Sequence, residues 1–365
     1  MQELTWRDLP HWPQGLGGAD EADLNTVLPT FLQSCRGLSG KAQWPLWRSA
    51  CEAGKALQES AAELNTASLR QFFEAHFTPY LLSNPDGSTH GLITGYYEPL
   101  LNGARAPSKQ YAYPVLGVPD DLLTVELGDL IPELKHKRVR ARLQDKKVVP
   151  YFSRAELLDR ESAPEHHVLL WVDDPVALFF LQIQGSGRVK LPGGETIRVA
   201  YADQNGHPYR SIGRVLIERG ELKPEFASMQ GITAWVRANP NKLNELLNTN
   251  PSYVFFRELP AEYGAKLAIG PPGAMGVPVT AKRTLAIDPR YVPLGAPVFL
   301  ATTQPNSAKP LRRLMFAQDT GGAIRGVVRA DFFWGFGAEA GKAAGRMRQS
   351  GQMWVLLPPG VAAEK

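Results

Sequence analysis

The sequence is poor in the residues and spacings on which the commoner enzyme chemistries depend. It holds seven histidines, scattered apart from the adjacent pair His166-His167, and no HExxH or CxxC spacing. Adjacent residues on a strand point to opposite faces, so the pair does not easily share one ion and no metal is expected. GxSxG is absent, which removes the serine-hydrolase elbow. Gly335, Gly337 and Gly341 miss the dinucleotide spacing, and Gly185-Ser186-Gly187 falls within a hairpin-like stretch rather than between a strand and a helix. That placement lacks the amide cradle of a phosphate site, so no nucleotide cofactor is expected, nor any other. No run approaches the ~18 consecutive apolar residues of a membrane span. The start, Met1-Gln2-Glu3-Leu4-Thr5, has neither the basic opening nor the apolar stretch of a secretion signal. A cytoplasmic protein and a processed secreted one both stay open on this ground.

Cysteine is limited to Cys35 and Cys51. Leu24, Val27, Leu28, Phe31, Leu32 and Cys35 form one helical stripe, and Trp47, Ala50, Cys51 and Gly54 form the next. Both thiols therefore face inward on consecutive helices joined by a short loop. A Cys35–Cys51 disulfide is feasible and would stabilise by roughly 3 kcal/mol. Two reduced, buried thiols are the other reading.

Charge of either sign is only slightly in excess: 40 Lys and Arg stand against 36 Asp and Glu. The densest basic stretch, Lys135–Arg142, reads as a solvated face, and nucleic acid is not an expected partner. A weak positive field suits a polymer bearing peptide carboxylates. With 365 residues, two domains are expected, and 34 Gly with 30 Pro favour short strands and turns over long helices.

What is present begins with helices over the first eighty or so residues. A third stripe, Leu69, Phe72, Phe73, His76 and Phe77, runs up to Pro79, with His76 read as a packed core histidine. Gly91–Glu98 alternates as a strand. Residues 100–150 show weak periodicity and read as a crossing into a second domain. Beyond it come a strand at Val168–Val172, a helix start at Asp174-Pro175, and a hairpin of Gln182–Leu191 with Glu195–Tyr201. Helices are predicted over Tyr209–Arg219, Phe226–Ala238 and around Leu243–Leu247. Six strands follow: Tyr253–Glu258, Pro278–Ile287, Pro297–Thr302, Leu311–Ala317, Ile324–Ala330 and Met353–Leu357. So many short strands suggest a small barrel.

With metal, nucleotide and serine chemistry set aside, carboxylates remain. Asp319-Thr320-Gly321-Gly322-Ala323-Ile324 places an acid beside paired glycines, where the backbone turns tightly or lets a ligand approach. Asp331 precedes Phe332, Phe333 and Trp334. Apolar surroundings make a carboxylate costly to ionise, and a carboxyl that stays protonated near neutral pH can serve as a general acid. The plainer reading is that both aspartates hydrogen-bond loop amides.

Five blocks then follow in order: Gly95-Tyr96-Tyr97-Glu98-Pro99, Gln182-Ile183-Gln184-Gly185-Ser186-Gly187, Asn205–Gly213, Asn250–Phe256 and Asp319–Ile324. Together they resemble the membrane-bound lytic murein transglycosylase A family, whose last third is the three-aspartate domain. The resemblance implies a mainly β fold with N-terminal helices: a double-psi β-barrel domain from residues 1–103 and 245–365, with the three-aspartate region at about 275–357. A second β-barrel-like domain is inserted at 104–244, and a glycan groove lies between the two. It maps the three aspartates onto Asp288, Asp319 and Asp331. Asp331 becomes the single catalytic acid and base, and Asp319 and Asp288 support it. Tyr97, Gln184, Ser186, Gly322 and Ala323 are the candidates for holding sugar, with Tyr97 equally readable as a core tyrosine.

The implied reaction cuts the β-1,4 bond between N-acetylmuramic acid and N-acetylglucosamine in peptidoglycan, forming a 1,6-anhydro end without water. The implied location is the periplasm of a Gram-negative bacterium, with a lipid anchor on the longer precursor and other cell-wall enzymes as partners. Two alternatives stand beside it. One is a two-carboxylate glycoside hydrolase with Glu98, Asp288 or Asp319 as base; the other is a wall-binding protein without activity.

Overall fold

The computed structural model describes residues 1–17, 21–60, 64–134, 139–159, 167–260 and 270–361. Lys135, His136, Lys137 and Arg138 of the basic stretch, and His166, lie outside the described residues. Two compact units emerge: Met1–Tyr97 with Ala268–Lys365, and Glu98–Leu267. The expected boundaries were 103/104 and 244/245.

In the first unit three helices, Val27–Leu38, Trp44–Ser60 and Thr66–His76, bury the predicted stripes. Trp47, Ala50, Cys51 and Gly54 are the buried residues of the second helix. Gly54 is there because a Cβ would come within 3.2 Å of both Phe31 and Phe72. Phe31, Phe72, Phe73 and Phe77 stack edge-on around that point, and each buried ring contributes roughly 1.5–3 kcal/mol. His76 lies half-buried beside Phe72, and desolvation lowers its pKa. The two cysteines are joined in a disulfide, S–S 2.08 Å, which ties the first helix to the second.

These helices share a core with an eight-stranded sheet. Its order is Gln2–Glu3, Thr78–Leu81, Arg348–Leu357, Pro297–Thr303, Pro310–Asp319, Thr284–Ile287, Arg329–Phe336 and Gly91–Glu98. Gly91–Glu98 pairs a second time, with Arg348–Leu357, through Thr94↔Arg348 to Gly91↔Gly351. Two sequence expectations are corrected here: Pro278–Ile287 is strand only over Thr284–Ile287, and the strand expected at Ile324–Ala330 instead runs Arg329–Phe336. Gly337–Arg346 adds a helix not expected from the sequence. That helix has Gly, Ala and charge where an apolar stripe would announce it.

The second unit carries a six-stranded sheet in the order Val254–Glu258, Thr196–Gln204, Ser186–Lys190, Leu100–Ala104, Val168–Val172 and Tyr113–Leu116. A three-stranded sheet comprises Leu123–Val125, Val139–Gln144 and Lys147–Pro150. Residues 100–150 are thus strand-bearing rather than a bare crossing. Leu143 and Val148, a register pair, are both largely exposed, so no buried stripe marks them in the sequence. Asp174 Oδ1 accepts the amides of Val176 and Ala177 and so caps the helix Pro175–Gln184, which Gly185 closes at φ 76°. The hairpin therefore starts at Ser186, not Gln182. Gly185 thus sits at the carbonyl end of a helix, where a phosphate would meet the wrong end of the dipole.

Candidate active site

Three strands set the geometry. Thr284–Ile287 lies between Pro310–Asp319, to which it is parallel, and Arg329–Phe336, to which it is antiparallel. Ala286 is the register partner of Asp319 on one side and of Asp331 on the other. Side chains in register across neighbouring strands share a face, so both carboxyls flank Ala286 with their backbones two strand spacings, roughly 9.5 Å, apart. The residue between them is a small one, and its methyl is itself buried, 4% exposed.

The strand Gly91–Glu98 supplies one hydroxyl to each aspartate. Thr94 Oγ1 donates to Asp331 Oδ1 at 2.6 Å, and Tyr96 OH donates to Asp319 Oδ2 at 3.0 Å. Thr94 and Tyr96 are two residues apart and so share a face. Asp319 Oδ1 also accepts the amides of Ala274 at 3.0 Å and Thr320 at 2.9 Å. Both oxygens of Asp319 are thereby engaged. Among the described residues, Asp331 Oδ2 meets no hydrogen-bond donor.

Electrostatics follow from this packing. Burial pushes the Asp331 carboxyl above the ordinary carboxylate range, against the pull of the Thr94 hydroxyl and the Arg329 charge. Asp319 is pushed up to about 6 by burial and by the charge of Asp331, opposed by its two amides and Tyr96. Burial also holds the Tyr96 phenol well above its usual value, which keeps it a donor.

Strand alternation corrects the sequence account of what desolvates Asp331. Phe333 shares its face and stacks on Tyr96 at 4.9 Å. Phe332 and Trp334 point the other way, 4.7 Å apart. One ring, not three, adjoins the acid.

Asp288 has a different post. It is 1% exposed, chelated by Arg290 Nε at 2.9 Å and Nη2 at 2.6 Å, and accepts the Gly326 amide at 2.9 Å. The Arg290 guanidinium pulls it down to about 2. Its anion pins the loop 320–328, whose other end is tied by Thr320 Oγ1 donating to the Ile287 carbonyl at 2.8 Å. Among the described residues, the hydrogen bonds of the Asp288 carboxylate go to Arg290 and to that loop. Gly322 and Ala323 are exposed on it.

The remaining candidates fall elsewhere. Tyr97, on the opposite face from Tyr96, is buried against Gly341, where a Cβ would lie 2.8 Å from its ring. Gln184 and Ser186 are half-buried in the second unit, at the helix end and the strand start. Glu98 is buried in that unit with one oxygen paired to Arg188 at 2.8 Å and the other to Arg198 at 2.7 Å. Thr94, Tyr96, Arg329 and Ala274 were missed. Only the first two carried a signal, their spacing of two in a predicted strand.

Comparison with known proteins identifies the family. Residues 92–257 match the MltA specific insert domain, and residues 283–357 match the 3D domain. Membrane-bound lytic murein transglycosylase A of Escherichia coli is 31% identical over 300 residues, covering 80% of this chain and 72% of that protein. The chain belongs to the lytic murein transglycosylase A family. Among solved structures, MltA from Neisseria gonorrhoeae is 37% identical, with a TM-score of 0.82 over 99% of this chain and 93% of that one. LtgG of Burkholderia pseudomallei, a lytic transglycosylase, is 43% identical, with a TM-score of 0.62 over 98% and 95%. E. coli MltA with bound chitohexaose is 27% identical, with a TM-score of 0.66 over 90% and 89%.

Proposed function

We propose that this chain, a peptidoglycan lytic transglycosylase by family, cleaves the β-1,4 bond between N-acetylmuramic acid and N-acetylglucosamine with Asp331 as acid and then base. The carrying observation is a contrast between two carboxyls on one face. Asp319 has both oxygens engaged, whereas Asp331 keeps Oδ2 without a donor among the described residues. Burial keeps Asp331 protonated to a higher pH than an ordinary aspartate.

Its proton passes to the glycosidic oxygen as the bond to C1 breaks. The acetamido oxygen of the muramic acid supports the oxocarbenium-like charge. Asp331, now ionised, takes the proton of the C6 hydroxyl as that oxygen closes on C1. The acid is regenerated, the product is a 1,6-anhydro sugar, and water is not consumed. Thr94 stabilises the carboxylate between the two steps.

A hydrolase needs a second carboxylate free to activate water. Glu98 is locked by two arginines, Asp288 by Arg290, and Asp319 by three donors, which favours the single-acid reading. The return pairing of Gly91–Glu98 onto Arg348–Leu357 supports a six-stranded double-psi barrel for the first unit. Chitohexaose on the E. coli relative supports a glycan ligand, for which Gln184, Ser186, Gly322 and Ala323 are the contacts we assign. The relatives' membrane-bound names support an envelope location in a Gram-negative bacterium; we assign it to the periplasm, with a lipid anchor on the longer precursor.

Asp331→Asn tests the assignment on purified sacculi. Loss of about 10²–10⁴-fold in turnover with retained glycan binding is expected. Activity within about tenfold of wild type would overturn it, since a general acid contributes more than that. Mass spectrometry of the wild-type digest should show anhydro-muropeptides; reducing ends would mean a hydrolase.

A further inference from the structure

Asp319 shares a face with Asp331 only because the strand that ends in it carries one extra residue. Phe316 pairs with Thr284 and Ala317 with Leu285, but Ala286 then pairs with Asp319 rather than Gln318. In an unbroken ladder Gln318 would stand beside Ala286, and Asp319 would point to the opposite face, because a one-residue slip inverts every side chain. Bulges in parallel pairs are rare, so this one needs a cause.

The side chain of Gln318, the extra residue, is anchored at this point. It is 0% exposed, an amide in an apolar core, yet each of its polar atoms is satisfied. Nε2 donates to the Thr30 carbonyl at 2.9 Å and to Ser34 Oγ at 3.0 Å, both on the helix Val27–Leu38. Oε1 accepts from Thr284 Oγ1 at 2.6 Å. Across the strand, the Met275 amide donates to the Gln318 carbonyl at 3.3 Å, and Ala274 donates to Asp319. Gly273 permits this approach, since a Cβ there would sit 2.7 Å from the Gln318 carbonyl oxygen.

We propose that Gln318 is a positioning residue for the transglycosylase reaction, its anchored amide holding the bulge that turns Asp319 toward the face of Asp331. The inference rests on the reading of Asp319 and Asp331 as one site. It extends the machinery inward to Thr30, Ser34 and Thr284, all of them buried.

Gln318→Met keeps the volume and removes the amide; Ser34→Ala removes a single hydroxyl and is the milder companion. Two readouts decide. Steady-state kinetics on sacculi should show kcat falling about 10²-fold in Gln318→Met with KM nearly unchanged, the scale expected from misplacing a group by an ångström. Ser34→Ala should fall roughly fivefold, the loss of one hydrogen bond. Carbon NMR of the carboxyls should show Asp319 titrating closer to an ordinary aspartate in both variants. A folded variant with unchanged kcat, or with lowered kcat and unchanged Asp319 titration, overturns the proposal; if Gln318→Met does not fold, Ser34→Ala alone decides. The titration needs no turnover, so it stands apart from the Asp331→Asn test. Failure of the latter would refute the catalytic reading instead.

Discussion

Asp319→Asn should make the protein more stable at neutral pH while impairing it as an enzyme. In the folded state Asp319 titrates at about 6, against 3.8 for the free side chain. The folded protein thus holds this proton more tightly than the unfolded chain does. Unfolding releases it between those two values, so stability falls as pH rises from about 3.8 to about 6 and is level above. A difference of about two pKa units corresponds to roughly 3 kcal/mol at 1.36 kcal/mol per unit. That figure is an upper bound, because Asp319 is half-buried and water screens part of its charge. Asparagine keeps Oδ1 for the amides of Ala274 and Thr320 and carries no charge to desolvate. Urea unfolding of both proteins from pH 4 to pH 8, followed by tryptophan fluorescence, should show the variant gaining on wild type as pH rises, by up to about 3 kcal/mol. Near pH 4 the two should converge. A variant less stable than wild type at pH 7, or offset by the same amount at every pH, would refute the argument.

Two other perturbations report on neighbouring parts of the site and frame. Thr94→Val removes the donor that stabilises the Asp331 carboxylate, so the high-pH limb of the kcat profile should move upward and the rate fall about tenfold; an unmoved limb would count against Thr94 as the partner of the acid. Reduction of Cys35–Cys51, which spans 16 residues, should lower unfolding free energy by roughly 3 kcal/mol with kcat nearly intact, measured as a shift of the urea midpoint with and without dithiothreitol.

Much of the fold was legible because its signals were local. The stripes through Phe31, Trp47 and Phe72 repeat at helical spacing, and Asp174-Pro175 carries its own cap. Where burial was incomplete, as at Leu143 and Val148, or side chains were small, as in Gly337–Arg346, no periodic contrast existed to read.

The candidate site divides along the same line. Sequence by itself determined which carboxyls were available, through the glycines after Asp319 and the five ordered blocks, and it placed Cys35 and Cys51 inward on neighbouring helices. Only the tertiary structure decided which of those groups share a face. It chose Tyr96 over Tyr97, sent Glu98 into an ion pair, posted Asp288 to a loop, and used the Gln318 bulge to bring Asp319 round to Asp331. The physical reason is that a strand's faces are assigned by its pairing register. That register is set by partners far away in the chain, here an amide reaching across to Thr30 and Ser34.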